Sequence, residues 1–150
     1  MTHVGDGLDQ VDQQLVDELL SNGRAKLSDL GAKVMLSASA VHARLHRLEA
    51  TGVIEGYRAV INPEKLGFAV SAFVAVTPTD PADHADLAEK LVKYPEVETC
   101  YSLAGTADYL MLVRVASATA LGEFLSEIRT ALRVNSQAGV ITKSCSASPR

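Results

Sequence analysis

Hydrophobic residues in the first third of the chain recur every three to four positions, the spacing of one face of an α-helix. We predict a helix over residues 8–22, a second helix that carries the stripe Leu27, Leu30 and Val34, and a third from a cap at Ser37 or Ser39 onward. Two helices joined by a turn of about four residues form a helix-turn-helix. The inward stripes are Leu8, Val11, Leu15, Leu19 and Leu20; Leu27, Leu30 and Val34; and Val41, Leu45 and Leu48.

The segment after the third helix, VIEGYRAVIN at residues 53–62, is predicted as two short strands joined by a turn at Glu55-Gly56. A hairpin in this place is the winged variant of the helix-turn-helix. Pro63 and Gly67 then break the pattern, which favours a linker. The predicted division is a winged helix-turn-helix domain at 1–61, a linker at 62–67 and a second domain at 68–150.

The second half of the chain alternates apolar runs with helical stripes. Its predicted order, β-α-β-β-α-β, is the ferredoxin-like arrangement. The fold class is therefore α+β. The predicted elements are strands at 68–78, 97–105, 109–116 and 139–144, and helices at 81–94 and 118–132.

The composition is that of a soluble globular protein, with 47% hydrophobic and 21% charged residues among 150. No apolar run reaches about 18 residues, and the N-terminus lacks a signal peptide's basic start and apolar core. We expect a cytoplasmic protein with no membrane span. Cys100 and Cys145 are expected as free thiols. His42 and His46 are spaced i, i+4 but lack a third ligand, so no metal site is predicted.

The formal net charge of −4 is distributed unevenly. Residues 1–23 carry five acidic and no basic residues, whereas residues 24–58 carry six basic and three acidic ones, a local charge of +3. A local positive potential can attract phosphate even when the total charge cannot. We expect the acidity to be concentrated in the first helix, away from the surface of the third.

The third helix carries polar side chains of two kinds. Ser39, His42 and His46 are predicted on one flank, and Arg44 and Arg47 on the other. Arginine can donate two hydrogen bonds to guanine or clamp a phosphate. An ordinary solvated helix is the alternative, but the preceding helix, short turn, following hairpin and local charge together favour DNA binding.

The loop LAGTADY at residues 103–109 joins two predicted strands of the second domain. Gly105 would let a ligand approach the backbone closely, and Asp108 could pair with an ammonium group. The alternative is a loop that only turns the chain. No nucleophile, acid–base or phosphate-loop motif is present, which argues against an enzyme.

The chain resembles the Lrp/AsnC (feast/famine) family of transcription regulators over nearly its whole length. The resemblance implies a winged helix-turn-helix followed by an αβ-sandwich that binds small effectors, commonly amino acids, at interfaces between these domains. It also implies dimers formed by pairing of C-terminal sheets, often stacked into octamers that bind double-stranded DNA. The segments that carry it are LDQVDQQLVDELLSNGRAKLSDL, SASAVHARLHRLEATGVIEGYRAVINPEKLG, SAFVAVTP and VETCYSLAGTADYLMLVRV.

Mapped onto this sequence, the resemblance implies two groups of functional residues. Those in the recognition-helix region are Ser37, Ser39, His42, Arg44 and Arg47, and those in the effector loop are Gly105, Thr106, Asp108 and Tyr109.

Two places depart from the family pattern. Met35 stands where the turn between the helices usually has glycine, while Gly31 stands where alanine is usual. If that turn needs a positive φ, Met35 is strained by roughly 1–3 kcal/mol. Residues 135–139, NSQAG, replace an Arg-Thr-x-Thr-like stretch that faces the effector.

The sequence therefore predicts a DNA-binding transcriptional regulator whose assembly or DNA binding is modulated by a small effector, with no cofactor and no metal. The alternative is an amino-acid sensor or assembly protein in which DNA binding is weak or lost.

Overall fold

The computed structural model describes residues 7–80, 82 and 85–143, which fall into two compact units that divide between Val60 and Ile61. The first unit contains three helices, as predicted. They are α1 (Gln10–Ser21), α2 (Leu27–Val34) and α3 (Ala38–Ala50). Leu15 of α1 is wholly buried in the core that these helices enclose, together with the predicted stripes of α2 and α3.

Side-chain hydrogen bonds fix where α1 and α3 begin. Asp9 caps α1 by accepting from the Asp12 backbone N–H at 2.8 Å, while Asp12 accepts from the Asp9 backbone N–H, which completes a capping box. Of the two serines predicted as caps for α3, Ser37 performs this role, because its Oγ accepts from the Ala40 N–H at 3.2 Å.

The turn between α2 and α3 has the positive φ that the family pattern requires. Met35 adopts φ 55° and ψ 44°, in the left-handed region, although it carries a side chain. The turn then folds tightly over α2, so that the Leu36 N–H donates to the Gly31 carbonyl at 2.9 Å. A Cβ on Gly31 would lie 2.5 Å from the Leu36 carbonyl oxygen, so this helix position requires glycine.

The prediction of two short strands at residues 53–62 is wrong, because the structure has no β-strand there. The chain leaves α3 through hydrogen bonds from the Val53 and Ile54 N–H groups to the Leu48 carbonyl, and then continues without regular pairing. Ile54 packs against the helical core, but Val60, at the far end of this segment, is 100% exposed, so the second strand of a hairpin would have no core to pack against in this unit. An isolated two-stranded hairpin is only marginally stable in water.

The second unit is a four-stranded antiparallel sheet in the order β2-β3-β1-β4, with two helices on one face. This is the predicted ferredoxin-like order of elements, and it confirms the α+β fold class. After a short 3₁₀ helix, Pro63–Leu66, its elements are β1 (Val70–Pro78), α4 (Leu87–Leu91), β2 (Val97–Ser102), β3 (Tyr109–Val115), α5 (Ala118–Leu132) and β4 (Val134–Val140).

Alternate side chains of the strands enter the core between the sheet and the helices. In β3 every second residue from Tyr109 to Val115 is buried, and these pack with Phe124 and Ile128 of α5. The Tyr94 and Phe124 rings meet edge to face, with centroids 5.7 Å apart. Because one face of the sheet is filled in this way, the other face remains for other contacts.

The predicted bounds of three elements need correction. The last strand is not at 139–144 but begins at Val134, directly after Arg133, which turns the chain in the left-handed region with φ 53°. Its Val134 pairs with Pro78 of β1, and only this first residue is buried, so the strand shows no apolar alternation. The strand predicted at 97–105 ends at Ser102, before glycine, and the described part of the helix predicted at 81–94 is α-helical only over Leu87–Leu91. Residues 81, 83, 84 and 144 of these predictions, like Cys145, lie outside the described residues.

We expect Met35→Gly to raise the free energy of unfolding of the helical unit by about 1 kcal/mol, because glycine adopts the left-handed region without a Cβ penalty. The Met35 side chain is 90% exposed, so little packing is lost. Urea denaturation followed by circular dichroism measures the change. As a control, Ala32→Gly at an exposed position of α2 should lower the same free energy by up to about 1 kcal/mol. A loss of stability in both variants would contradict the strain at Met35.

Candidate DNA-contacting helix and effector loop

Helix α3 buries one stripe and presents the opposite side to solvent. Val41, Leu45 and Leu48 face the core, whereas Ser39 and His46 are exposed. His42 lies on the same flank as His46. Arg44 and Arg47 lie on the other flank, so the structure separates the predicted residues as the sequence pattern does.

The histidine flank borders an open groove of about 300 Å³ between α3, the end of α1 and the segment that follows α3. Tyr57 closes one side of this groove by donating from its hydroxyl to Glu49 Oε1 at 2.9 Å. Partial burial raises the pKa of Tyr57, and the hydrogen bond to the Glu49 carboxylate acts in the same direction. Tyr57, which the sequence analysis did not single out, therefore ties the segment after α3 to the exposed side of that helix.

The arginine flank is in contact with the acidic start of α1. The expectation that the acidity of the first helix lies away from the surface of the third is therefore wrong. Arg44 Nη1 donates to Asp9 Oδ2 at 2.6 Å and to Asp12 Oδ1 at 2.8 Å. Arg47 Nη2 donates to Asp12 Oδ2. The chain is folded so that two carboxylates neutralise the two arginines that the local charge of +3 depended on.

These four side chains, Asp9, Asp12, Arg44 and Arg47, form what we call the α1–α3 ion cluster. The Asp12 side chain is 0% exposed, and its two oxygens accept from both arginines and from the Asp9 N–H. A buried carboxylate needs such complete pairing, because an unpaired one would carry a large desolvation cost. The cluster therefore links α1 to α3 in addition to the apolar core.

The two arginines differ in what they leave exposed. The Arg44 side chain is 29% exposed and donates to two carboxylates, whereas the Arg47 side chain is 53% exposed and donates to one. Within the described part of the chain, no hydrogen bond is made by Arg47 Nε or Nη1. Arg44 makes both of its described hydrogen bonds through Nη1, so each guanidinium retains donors for a phosphate or a base, and Arg47 is the more exposed of the two.

The ion cluster also shifts the titration of its exposed members. The hydrogen bond from Arg44 lowers the pKa of Asp9 below its ordinary value, and the backbone N–H of Asp12 adds to this effect. The Asp9 and Asp12 carboxylates raise the pKa of Arg44 in turn. Because the pKa of Asp9 is lower in the folded state, its contribution to stability is present at neutral pH and is lost only in acid, as the pH falls through that lowered pKa.

The predicted effector loop lies between β2 and β3, and β1 fixes its base. The Leu103 N–H donates to the Asp108 carbonyl at 2.8 Å, and the Asp108 N–H donates to the Val76 carbonyl at 3.1 Å. Gly105 and Thr106 are exposed and Asp108 is half-buried. Tyr109 differs from these three, because its side chain lies in the hydrophobic core and is only 6% exposed.

Gly105 is not required by contacts within its own unit. A Cβ built there would meet nothing within 4 Å, and its φ lies outside the left-handed region. A Cβ built on Gly139 of β4 would likewise meet nothing within 4 Å. The loop therefore has open space above its backbone, which fits the approach of a small molecule or of another protein surface.

The centre of the sheet face opposite the helices is apolar. It carries Phe73 and Ala75 of β1, which pair with Leu112 and Leu110 of β3, and Tyr101 of β2 pairs with Leu110 in turn. Phe73 is 45% exposed and Tyr101 55% exposed. We call these five residues the open sheet face.

The described parts of the chain do not meet the requirements of a metal site, a membrane span or a reactive thiol. No cluster of three or more histidine, cysteine, aspartate or glutamate side chains there could hold a metal ion. No helix there is both long and apolar enough to cross a bilayer. Cys100 is an unpaired thiol that packs against the core of the sheet unit, and burial raises its pKa, so it is a poor nucleophile.

Family models match both units. The AsnC-type helix-turn-helix domain matches residues 8–49, and the Lrp/AsnC ligand binding domain matches residues 71–141. The HTH-type transcriptional regulator LrpA of Mycobacterium tuberculosis is 49% identical over 138 residues, which are 92% of each chain.

Solved structures of similar regulators share the fold of this chain. The feast or famine regulatory protein from M. tuberculosis, complexed with L-methionine, has a TM-score of 0.89 at 47% identity and covers 95% of this chain and 97% of its own. A transcriptional regulator from Neisseria meningitidis in complex with L-Met has a TM-score of 0.85 at 28% identity, with 94% of each chain covered.

Proposed function

Because the chain belongs to the Lrp/AsnC family of transcriptional regulators, we propose that it binds double-stranded DNA through α3 and that a small effector, an amino acid, modulates its assembly or its DNA binding. The observation that carries the first part is the geometry of α3: a helix capped by Ser37, preceded by a tight turn, with a polar outer side. Such a helix fits the major groove. With this function we propose a cytoplasmic location.

On α3 we assign contacts to DNA unequally. Ser39, His42 and His46 present short donors and acceptors from one flank, and Arg47 reaches from the other. Ser37 is occupied as the helix cap, and its Oγ lies 3.0 Å from the Ser39 Oγ. Arg44 is mainly engaged with α1, so its contribution to binding is smaller.

We expect Arg47→Ala to weaken binding to a target duplex about tenfold and to reduce the slope of log K against log salt by about one per lost phosphate contact. Arg44→Ala should weaken binding less, because this guanidinium is held by two carboxylates. Fluorescence anisotropy with DNA from upstream of the protein's own gene, at several salt concentrations, measures both quantities.

Lys93→Ala, which removes an exposed cation from the sheet unit, is the control for a general effect of charge. Thermal melts establish that each variant is folded. If the wild-type protein binds its upstream DNA no more tightly than a random duplex at any salt concentration, the proposed regulatory function is wrong.

For the effector we propose a binding region at the loop 103–109, with Asp108 pairing with the ammonium group and Gly105 and Thr106 lining the approach. Support comes from the open space above Gly105 and from two similar regulators whose structures contain L-methionine. Tyr109 contributes through its backbone, because its ring is in the core. Residues 135–139 lack the family's threonines, and the one hydroxyl among them, that of Ser136, accepts from Arg129 Nε, so the effector of this chain need not be the same amino acid.

Calorimetry with a panel of amino acids that includes L-methionine tests this assignment. We expect at least one to bind, and we expect Asp108→Asn to weaken its binding about tenfold by removing the ion pair. Asp17→Asn, which removes a carboxylate from α1, is the control. Heat of binding in a protein that binds no DNA would favour the amino-acid sensor instead. DNA binding without any amino-acid response would favour a regulator that has no effector.

We further propose that the open sheet face pairs with the same face of a second copy, forming a dimer that can assemble further toward an octamer. Exposed apolar side chains on adjacent strands form a contiguous patch of the kind that proteins bury in interfaces. A twofold axis would also supply two copies of α3, which suits a nearly palindromic site.

We expect Phe73→Glu to convert the assembly to monomers, because it places a charge in the centre of the open sheet face. Analytical ultracentrifugation measures the mass in solution. Val92→Glu is the matched control, since Val92 is similarly exposed at 56% but follows α4. A Phe73→Glu variant that is folded and retains the wild-type mass would rule out this interface.

A further inference from the structure

The exposed carboxylate of Asp9 lies next to the arginine flank of α3, at the surface that we propose for DNA. Its side chain is 50% exposed, whereas that of Asp12 is 0% exposed. Asp9 uses its two oxygens differently: Oδ1 accepts from the Asp12 N–H to cap α1, and Oδ2 accepts from Arg44 Nη1. The oxygen that holds Arg44 is therefore not the one that caps the helix.

Capping does not explain why this residue is charged. Asparagine and serine cap helices about as well as aspartate, through the same acceptor geometry and without a negative charge. The charge of Asp9 instead acts on Arg44, whose guanidinium it holds at 2.6 Å. With Asp9 ionised, the two carboxylates and two guanidiniums of the ion cluster have no net charge.

We propose that Asp9 is a restraint on DNA binding: it holds Arg44 against α1 and so competes with the DNA phosphates for this guanidinium. The inference rests on the proposed function of α3. Phosphate contacts provide affinity that is independent of sequence. Withholding Arg44 therefore lowers binding to random DNA and leaves a larger share of recognition to the side chains on the other flank.

Asp9→Asn tests the restraint because it removes the charge and retains a capping side chain. The ion cluster then has a net charge of about +1, and Arg44 can offer its Nε and Nη2 donors to a phosphate while its Nη1 stays on Asp12. We expect binding to a random 30-base-pair duplex at low salt to tighten about threefold, with a salt slope steeper by about one per added phosphate contact.

Asp17→Asn is the matched control. It makes the same change of charge on the same helix, at an exposed residue that forms no ion pair in the described part of the chain. A second comparison places Asp9→Asn on an Arg44→Gln background, where the gain should disappear, because no guanidinium remains to be released. Gln at position 44 retains hydrogen-bonding capacity toward Asp12, and circular dichroism verifies the fold of every variant.

A gain for Asp9→Asn that exceeds the gain for Asp17→Asn and is absent on the Arg44→Gln background supports the restraint. Equal effects of the two aspartate variants, or a gain that persists without Arg44, overturn it while the wild-type protein still binds its upstream DNA. Absence of DNA binding in every variant at every salt concentration overturns the proposed function and this inference together.

Discussion

The helix-turn-helix unit of this protein depends on one buried carboxylate, Asp12. It is fully enclosed, and it accepts hydrogen bonds from Arg44 and Arg47, one helical turn apart on α3. Burial makes this pairing obligatory, because neither partner can be lost without leaving an expensive charge behind. The position of α1 and the direction of both arginine side chains are thus set together. What α3 can offer to a ligand is what remains after Asp12 is satisfied.

A second constraint acts at the other end of α3. The turn after α2 needs a left-handed residue, and Met35 supplies it at a cost that its exposed side chain does nothing to offset. The same turn places the Leu36 carbonyl so close to α2 that only Gly31 fits beneath it. The departures from the family pattern at Met35 and Gly31 are therefore parts of one local arrangement. The strain at Met35 was predictable from sequence, whereas the close contact at Gly31 required three-dimensional coordinates.

The sequence predicted the features that follow from local periodicity and missed those that arise from tertiary contact. The buried stripe of α3 is visible as Val41, Leu45 and Leu48, and the flank that carries the arginines follows from the same period. Their pairing with α1 joins residues more than 30 positions apart, which no local pattern reports. The predicted position of strand β4 was wrong for a related reason. Residues 135–137 are polar, and only their pairing with β1 makes them a strand. The hairpin at 53–62 had strand-like composition but no surface to pack on.

These contacts also explain how an acidic protein can belong to a family of DNA-binding regulators. The basic excess of residues 24–58 overstates the charge available to DNA, because Arg44 and Arg47 are paired with α1, and Lys33 forms an ion pair with Glu18. A single helix-turn-helix with so little uncompensated charge should hold DNA weakly. Weak modules become effective when several are joined, because each later contact then forms at a high local concentration. We therefore link the low charge per subunit to the proposed assembly through the open sheet face: the low charge would limit DNA binding by single subunits, and assembly would restore affinity where several copies engage one duplex.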